Sequence, residues 1–373
     1  LTPRAAAGSL DAVRIAVDAR ILEFPCPTGV ERAATEILRA LPAALKVGDE
    51  IVLFGHGAVV PPSGPSPRVR SVALGGPEAP MLWRESRLVE GLREHGADVL
   101  WSPVAALPVR GDVPRVATVH EAPWLVRPGM EGLIREQAHK IRLRIAVEVA
   151  SRIVCPSRSA AAQVAQMYPA VKSRLRVVPY GVPSAFFAPP DECAAAGLRL
   201  RAGVEGPYLL HVGGTRERKN VPLLLRAYAR YLLQGGRAAL VLAGPGEPPE
   251  RTPRGVRHAG YVSDETLVAL YDGAEAVVVS SDSEGFGIPV IEAMARGVPV
   301  VATSAGGVPE AAGGAAVLVP PGDDEAFAAA LRELEGDAAR RAELVERGRV
   351  RAASCRFADS AARLYEVLAE AAA

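Results

Sequence analysis

Short apolar runs alternate with helix-length patterns twice along this chain, and that alternation constrains the fold more than any other feature. Runs of strand length occur at Val13–Asp18, Glu50–Phe54, Val69–Ala73, Asp98–Trp101, Arg115–Val119, Arg152–Cys155 and Arg176–Val178. Between them, Val30–Ala40, Leu82–His95, Leu133–Ala150 and Ser159–Tyr168 carry helical spacing. Such alternation predicts an α/β architecture, a mainly parallel sheet covered on both faces. A Pro- and Ala-rich stretch from Pro179 to about Gly206 interrupts the rhythm and reads as a linker. A second series follows, with strands at Tyr208–Val212, Ala238–Ala243, Ala276–Ser280 and Val298–Ala302. Its helices are expected at Val221–Gln234, Ser263–Asp272 and Pro289–Arg296. Two doubly wound domains follow, at 13–185 and 186–355, and the pattern alone leaves the apolar helix near Ala358–Ala371 free to pack on either.

A length of 373 residues suits two such domains. With 49% hydrophobic and 23% charged residues, the chain is not a disordered one. Its 43 Lys and Arg against 42 Asp and Glu leave a net charge of +1, so no global field draws it to nucleic acid or to an anionic membrane. Any basic site must be local. Cys26, Cys155, Cys193 and Cys355 lie far apart with no C-x-x-C pair, which argues against a zinc site or a disulfide framework and makes a cytoplasmic location the default. No apolar run reaches membrane-span length, and no signal-peptide layout opens the chain. Leu1-Thr2-Pro3-Arg4 resembles a protease-site scar, and residues 1–12 are expected to be a disordered start. One skew stands out: Lys46, Lys140, Lys172 and Lys219 are the only lysines, so arginine supplies 39 of the 43 cations, and Asn220 is the only asparagine.

The densest site-like stretch runs from Ser283 to Val300, at the carboxyl end of a predicted strand, where open α/β sheets bind ligands. Gly285 and Gly287 allow close backbone approach, Pro289 suits a helix start and Gly297 a helix stop. The helix N-terminus attracts an anion such as a phosphate. Glu284 just before it and Glu292 in about its first turn can accept paired hydroxyl hydrogen bonds from sugars or riboses. A Gly-rich turn with two solvated glutamates is the plainer reading. In the loop His211–Pro222, Asn220 suits an N-cap and Pro222 an early helical position, so Arg218 and Lys219 would form an electropositive pocket at a second helix end. Lysine in so arginine-biased a chain suggests that a compact ammonium is wanted there. An ordinary solvated turn is the alternative. His120 ends a first-domain strand at the same edge, with structural or catalytic use equally open, and Thr28-Gly29 is a tight turn or a substrate contact. Leu133–Arg158 carries Arg135, Lys140, Arg142, Arg144, Arg152 and Arg158 around an apolar stripe of Leu133, Ile134, Ile141, Ile145 and Val149. A core-packed helix with a solvated basic face is expected, and contact with an anionic membrane is the second reading.

Together these residues resemble glycosyltransferase family 4. Val17-Asp18-Ala19-Arg20, Thr28-Gly29-Val30-Glu31-Arg32, Thr118-Val119-His120 and Pro179-Tyr180-Gly181-Val182 are similar to the family's acceptor-side half. His211 to Asn220, Gly260-Tyr261-Val262-Ser263-Asp264 and Glu284 to Glu292 resemble its donor side. The resemblance implies a GT-B fold, two Rossmann-like domains facing each other across a cleft, with the C-terminal helix 356–373 crossing back to the first domain. It further implies retaining transfer of a hexose-type sugar from a nucleoside-diphosphate sugar, GDP- or UDP-linked by analogy, to a hydroxyl of a glycan, lipid-linked or small-molecule acceptor. By resemblance, Arg218 and Lys219 bind the diphosphate, Glu292 holds the ribose, Glu284 contacts the sugar, and His120 touches it from the opposite domain. The resemblance also assigns donor contacts to Gly29, Gly213, Gly214 and the backbone of Gly285, Phe286, Gly287 and Ile288. Tyr261, Val262 and Leu267 would line the base pocket. Relatives often carry an arginine where this chain has Gly214, so Arg218 supplies the guanidinium; Pro183 stands where an acidic residue is common. No Asp-x-Asp motif is present and fixed cations are, so no metal or other cofactor is expected. Domain closure over the donor would hinge near Pro179–Gly206 and at the C-terminal crossing. An epimerase or sugar phosphorylase on the same scaffold, or a non-catalytic sugar-nucleotide-binding subunit, is the alternative. A nicotinamide-dependent dehydrogenase lacks its G-x-G-x-x-G.

Overall fold

The computed structural model describes residues 12–126, 128–129, 132–189 and 191–373; the expected disordered start falls almost wholly outside these. In the first half, strands β1 (Arg14–Asp18), β2 (Glu50–Gly55), β3 (Val69–Ala73), β4 (Val99–Ser102), β5 (Arg115–Thr118), β6 (Arg152–Cys155) and β7 (Leu175–Val177) form one parallel sheet in the order β3-β2-β1-β4-β5-β6-β7. In the second, β8 (Tyr208–Val212), β9 (Ala239–Ala243), β10 (Val256–Gly260), β11 (Ala276–Val279), β12 (Val300–Thr303) and β13 (Val317–Val319) form another, in the order β10-β9-β8-β11-β12-β13. Each winds outward through its first three strands and then returns to the other side of its first, the doubly wound order that opens a crevice at the strand carboxyl ends. Each is the Rossmann-like half of a GT-B fold. The inner strands are mostly aliphatic and buried on both faces, as parallel sheets between helix layers require, while the edge strands β3, β7 and β10 are more polar and only partly buried.

The helices of the first half are α1 (Gly29–Ala44), α2 (Pro80–Trp83), α3 (Val89–Glu94), α4 (Leu133–Val149) and α5 (Arg158–Met167). Those that follow are α6 (Glu192–Arg201), α7 (Val221–Leu233), α8 (Asp264–Asp272), α9 (Ile288–Ala295), α10 (Val308–Ala312), α11 (Asp324–Gly336), α12 (Ala338–Ala353) and α13 (Phe357–Ala372). The helix expected over Leu82–His95 is divided by a π-helical turn at Arg84–Leu88. The supposed linker is not a bare connection: it folds a 3-10 turn at Ser184–Phe187 and α6, which packs on α8. Asp191 caps α6 by accepting the Ala194 N–H at 3.0 Å, a start signal that the Pro/Ala composition obscured.

The helix expected over Leu133–Ala150 is present and packs on the core; what is overturned is its extension to Arg158 as a basic helix and the face it buries. The helix ends at Val149, and the buried side carries Glu136, Leu143, Ala146 and Val147. At 3.6 residues per turn these lie roughly opposite Ile134 and Ile141, and Leu133, Ile134 and Ile141 are exposed at 73%, 90% and 59%, while Val149 packs in part against the core. Helical spacing alone cannot say which of two apolar faces meets the core.

α13 returns to the first half, packing on α1 and β4. Tyr365 donates to Asp49 Oδ2 at 2.6 Å, Ser360 Oγ to the Pro179 carbonyl at 2.6 Å, and the Val182 N–H to Cys355 O at 2.9 Å. Gly181 runs so close to the backbone of Arg356 and Phe357 that a Cβ there would collide with it.

Candidate active site

Two loops at the point where the second sheet reverses carry the charged groups. After β8, the chain turns through Gly213 and Gly214 into Arg218, Lys219 and Asn220; after β11, through Ser280 to Gly287. Asn220 is left-handed (φ 46°), the only non-glycine residue with positive φ among those described, which asparagine tolerates better than most. Its side chain caps α7 by accepting the Leu223 N–H at 3.2 Å and donates to Asp282 Oδ1 at 2.6 Å. The Asp282 N–H donates to Arg218 O at 2.9 Å and Ser280 Oγ to Lys219 O at 2.8 Å, so the two loops are joined along their backbones.

Lys219 is buried, and its Nζ donates to Glu284 Oε1 at 2.6 Å, where Ser281 Oγ also donates at 2.7 Å. Gly213 leaves room for it, since a Cβ would lie 2.6 Å from Lys219 Cε. That tight slot accounts for an ammonium in place of the bulkier guanidinium. Arg218 lies 3.3 Å from both Glu284 Oε2 and Glu121 Oε1. Burial works against charge on Glu284, but the neighbouring Lys219 and Arg218 outweigh it and hold the carboxyl down at about 2. Burial pushes the Lys219 ammonium down, opposed by Glu284, and pushes the Glu121 carboxyl up with help from Glu284, against Arg218. The expectation of an electropositive pocket is therefore corrected: Arg218 and Lys219 face Glu121 and Glu284, and the cluster balances. Burying two cations unpaired would cost several kcal/mol each.

Glu292 is the fifth residue of α9, so it sits in the second turn and not the first. It accepts from the Tyr271 hydroxyl at 2.9 Å, and Arg32 Nη2 approaches it to 3.6 Å from α1. Arg32 is also 3.3 Å from Asp264, and the Tyr261 hydroxyl donates to Pro27 O at 3.3 Å. Burial raises the Glu292 carboxyl and Arg32 opposes it. The first half thus reaches into the second at both ends of the cleft, through Arg32 and through Glu121, whose carboxylate also accepts from Ser283 Oγ at 3.1 Å.

His120 presents no free ring nitrogen. Nε2 lies 2.8 Å from the Pro103 carbonyl and so carries the proton, and Nδ1 accepts from the Tyr180 hydroxyl at 2.6 Å. Burial lowers its pKa and keeps the ring neutral. Its carbonyl packs against Gly285, where a Cβ would fall far inside contact distance. Gly285 therefore serves an approach of the two halves, in addition to any approach to ligand expected of it.

A pocket of about 150 Å³ lies between the halves. It is lined by Gly29, His120, Gly213, Arg218, Lys219, Tyr261, Val262, Leu267, Glu284, Gly285, Phe286, Gly287, Ile288 and Glu292, all singled out from the sequence. Gly214 is not in the lining, and the N–H groups of Gly213 and Gly214 both go to the Ala243 carbonyl, at 2.9 and 3.2 Å. Gly287 and Ile288 open α9; Pro289 has no N–H and the Val290 N–H donates to Gly287 O at 3.0 Å, so the N–H groups at the very start of the helix are those that face a ligand. Sequence reasoning gave no role to Glu121, Arg216, Asp264 or Tyr180, and none across the cleft to Arg32; Glu121 next to His120 and Arg32 next to Thr28–Glu31 were the available signals. Among the described residues, no three His, Cys, Asp or Glu side chains are grouped to hold a metal ion.

His211, buried behind the loop, faces the carbonyls of Val278 at 3.2 Å and Gly214 at 3.3 Å. Burial, and then the Lys219 charge, push its ring down to about 4. An unfolded histidine titrates near about 6.5, so below that value the unfolded chain takes up a proton that the folded one refuses. Stability from this site is full above about pH 6.5 and falls as the pH drops toward about 4. Thermal melts at about pH 7.5 and about pH 5 should show the lower Tm at the acid value, and His211→Gln should narrow the gap.

The family model described as Glycosyltransferase Family 4 matches residues 27–186, and that for Glycosyl transferases group 1 matches residues 206–337. The D-inositol 3-phosphate glycosyltransferase of Xylanimonas cellulosilytica is 32% identical over 291 residues, 70% of this chain and 67% of that protein. The chain belongs to glycosyltransferase family 4. O-antigen chain mannosyltransferase B of Escherichia coli is 27% identical over 344 residues, covering 85% of this family member and 89% of its own length. The structure of Anabaena HepE in complex with UDP-glucose superposes with a TM-score of 0.71 at 17% identity, over 96% of this chain and 99% of that one. As a family member the chain is a glycosyltransferase of GT-B fold, and its charged cluster lies where the second Rossmann-like sheet opens toward the first.

Proposed function

We propose that this glycosyltransferase moves a hexose-type sugar from a UDP- or GDP-sugar to an acceptor hydroxyl, with retention of configuration and without a metal. One observation carries the reading: Lys219, Arg218 and Glu284 meet beside the open N-terminus of α9, between two halves that both line the pocket. Arg218 and Lys219 exchange their carboxylate partners for the donor diphosphate and stabilise its growing charge as it leaves. Glu284 stays ionised beside the sugar, and Glu292, released from Arg32, takes the ribose hydroxyls. In the chemical step the C1–O bond to the diphosphate breaks, the acceptor oxygen bonds to C1 on the same face, and its proton passes to a diphosphate oxygen. The neutral His120 shapes the sugar's surroundings and moves no proton, since both ring nitrogens are engaged. At about 150 Å³ the pocket is smaller than sites that hold such ligands, so the donor enters when the halves part. The UDP-glucose complex of the HepE structure supports a nucleotide-sugar donor by fold alone.

A screen of UDP-, GDP-, ADP- and dTDP-sugars by thermal shift should single out one donor. Transfer of its sugar should persist in EDTA and keep the anomeric configuration. Loss in EDTA would refute the metal-free reading, and an inverted product the stereochemical one.

The first half, the proposed acceptor side, also carries the outward face of α4, where Leu133, Ile134 and Ile141 stand among Arg135, Arg142 and Arg144. No helix among the described residues is long and apolar enough to cross a membrane. An interfacial contact needs only such a face, in which case the acceptor is a lipid. Co-sedimentation with vesicles rich in anionic lipid, reduced severalfold by Ile134→Glu, is the expected result; equal sedimentation of both proteins would remove the membrane role.

A further inference from the structure

Behind the wall that Tyr180 and Phe286 make for the pocket lies a second cleft, of about 580 Å³. Arg158, Arg351, Arg356 and Arg363 line it against only two carboxylates, Glu310 and Asp359. These arginines come from the start of α5, the end of α12, the α12–α13 connection and α13, so the fold and not a local run gathers them. Elsewhere surface arginines share carboxylates, as Arg152 and Arg176 do on Glu370, and Arg226 and Arg230 on Asp324. Here Glu310 is committed to the backbone N–H groups of Arg158 and Ser159, both at 2.9 Å. Arg351 donates to the Ala311 and Glu310 carbonyls at 2.9 and 2.7 Å, and Arg356 lies 4.5 Å over the Phe187 ring. The guanidinium groups of Arg158 and Arg363 have no hydrogen-bond or ion-pair partner among the described residues.

We propose that this arginine cleft is a second binding site, for a small phosphomonoester, distinct from the donor site. Guanidinium forks match phosphate oxygens, and two of the four stand ready without displacing an existing bond. The volume is that of a small-molecule site, and Pro179, Tyr180 and Phe286 offer a surface for the carbon skeleton. Its ligand bridges the two halves: α5 and α13 pack on the first, while α12 packs on α9 of the second. It also rests on Tyr180, whose hydroxyl orients His120.

Ribose 5-phosphate is a suitable probe, with ribose as the uncharged control, in isothermal titration of the full chain. The Lys219→Met variant removes the donor-site ammonium and should bind the probe as tightly as the parent, whatever the outcome for sugar transfer. Arg158→Gln and Arg363→Gln, neither part of the transfer site, should each weaken binding about tenfold with an unchanged melting temperature. Binding lost in Lys219→Met but kept in both arginine variants would place the phosphate in the donor site and overturn the proposal. No binding to the parent chain would overturn it as well.

Discussion

Replacing Lys219 by methionine should lower turnover about 100- to 1,000-fold, the usual cost of removing one fixed group that stabilises a developing negative charge. Lys219 is buried, and among the described residues Glu284, at 2.6 Å, is the one hydrogen-bond partner of its ammonium. Two effects must be separated, because removing one member of a buried ion pair typically costs about 3–5 kcal/mol of stability on its own. Arg218, 3.3 Å from the same carboxylate, remains to compensate in part. The double variant Lys219→Met with Glu284→Gln removes both charges and should recover much of the lost melting temperature while staying inactive. Steady-state kinetics and thermal melts on the parent, the single and the double variant decide it. Full turnover in Lys219→Met would end the assignment of this residue to the diphosphate.

Gly285→Ala should be nearly as damaging to activity and far milder for folding. The backbone of Gly285 is not in the left-handed region, so alanine is admissible there on conformational grounds. What alanine meets is the His120 carbonyl across the cleft. To relieve that contact the halves must separate, and a displacement of about 1 Å at a reacting centre can cost about 100-fold in rate. Ser157 Oγ, which donates to Gly285 O at 2.7 Å, and the Arg32–Glu292 approach should weaken together. We expect kcat to fall by about two orders of magnitude with a melting temperature within a few degrees of the parent, and small-angle scattering to show a more open shape. Normal kcat would show that the close contact of the halves in this arrangement is not the one used for transfer.

Much of the architecture was legible because parallel strands are continuous apolar runs with breakers at their ends. Val69–Ala73, Arg152–Cys155 and Tyr208–Val212 occupy the residues expected of them. β10 and β13, at the two edges of their sheet, were not legible in the same way: β10, with the sequence VRHAG, breaks its apolar run with Arg257 and His258, and β13 is only three residues long. α11 and α12 were overlooked for a different reason. Charged residues run along their exposed faces. α4 shows the limit of periodicity, since the chain offers two apolar faces and the larger side chains are on the one that faces out.

The site divides along the same line. Glu284, Lys219, Asn220 and Glu292 could be named from the chain alone because each is fixed by its own loop or helix: a glycine turn, a cap, a helix start. Their state could not be. Whether Lys219 stands free or paired, whether His120 has a nitrogen to offer, and why Gly285 lacks a side chain all depend on groups tens to hundreds of residues away. Arg32 and Glu121 acquire a role only when the first half is laid against the second. The sequence by itself determined two doubly wound sheets and which loops face each other, since hydrophobic period and turn chemistry act over a few residues. Only the tertiary structure decided how the charges in those loops are balanced, because a charge taken out of water must find its partner wherever the fold puts one.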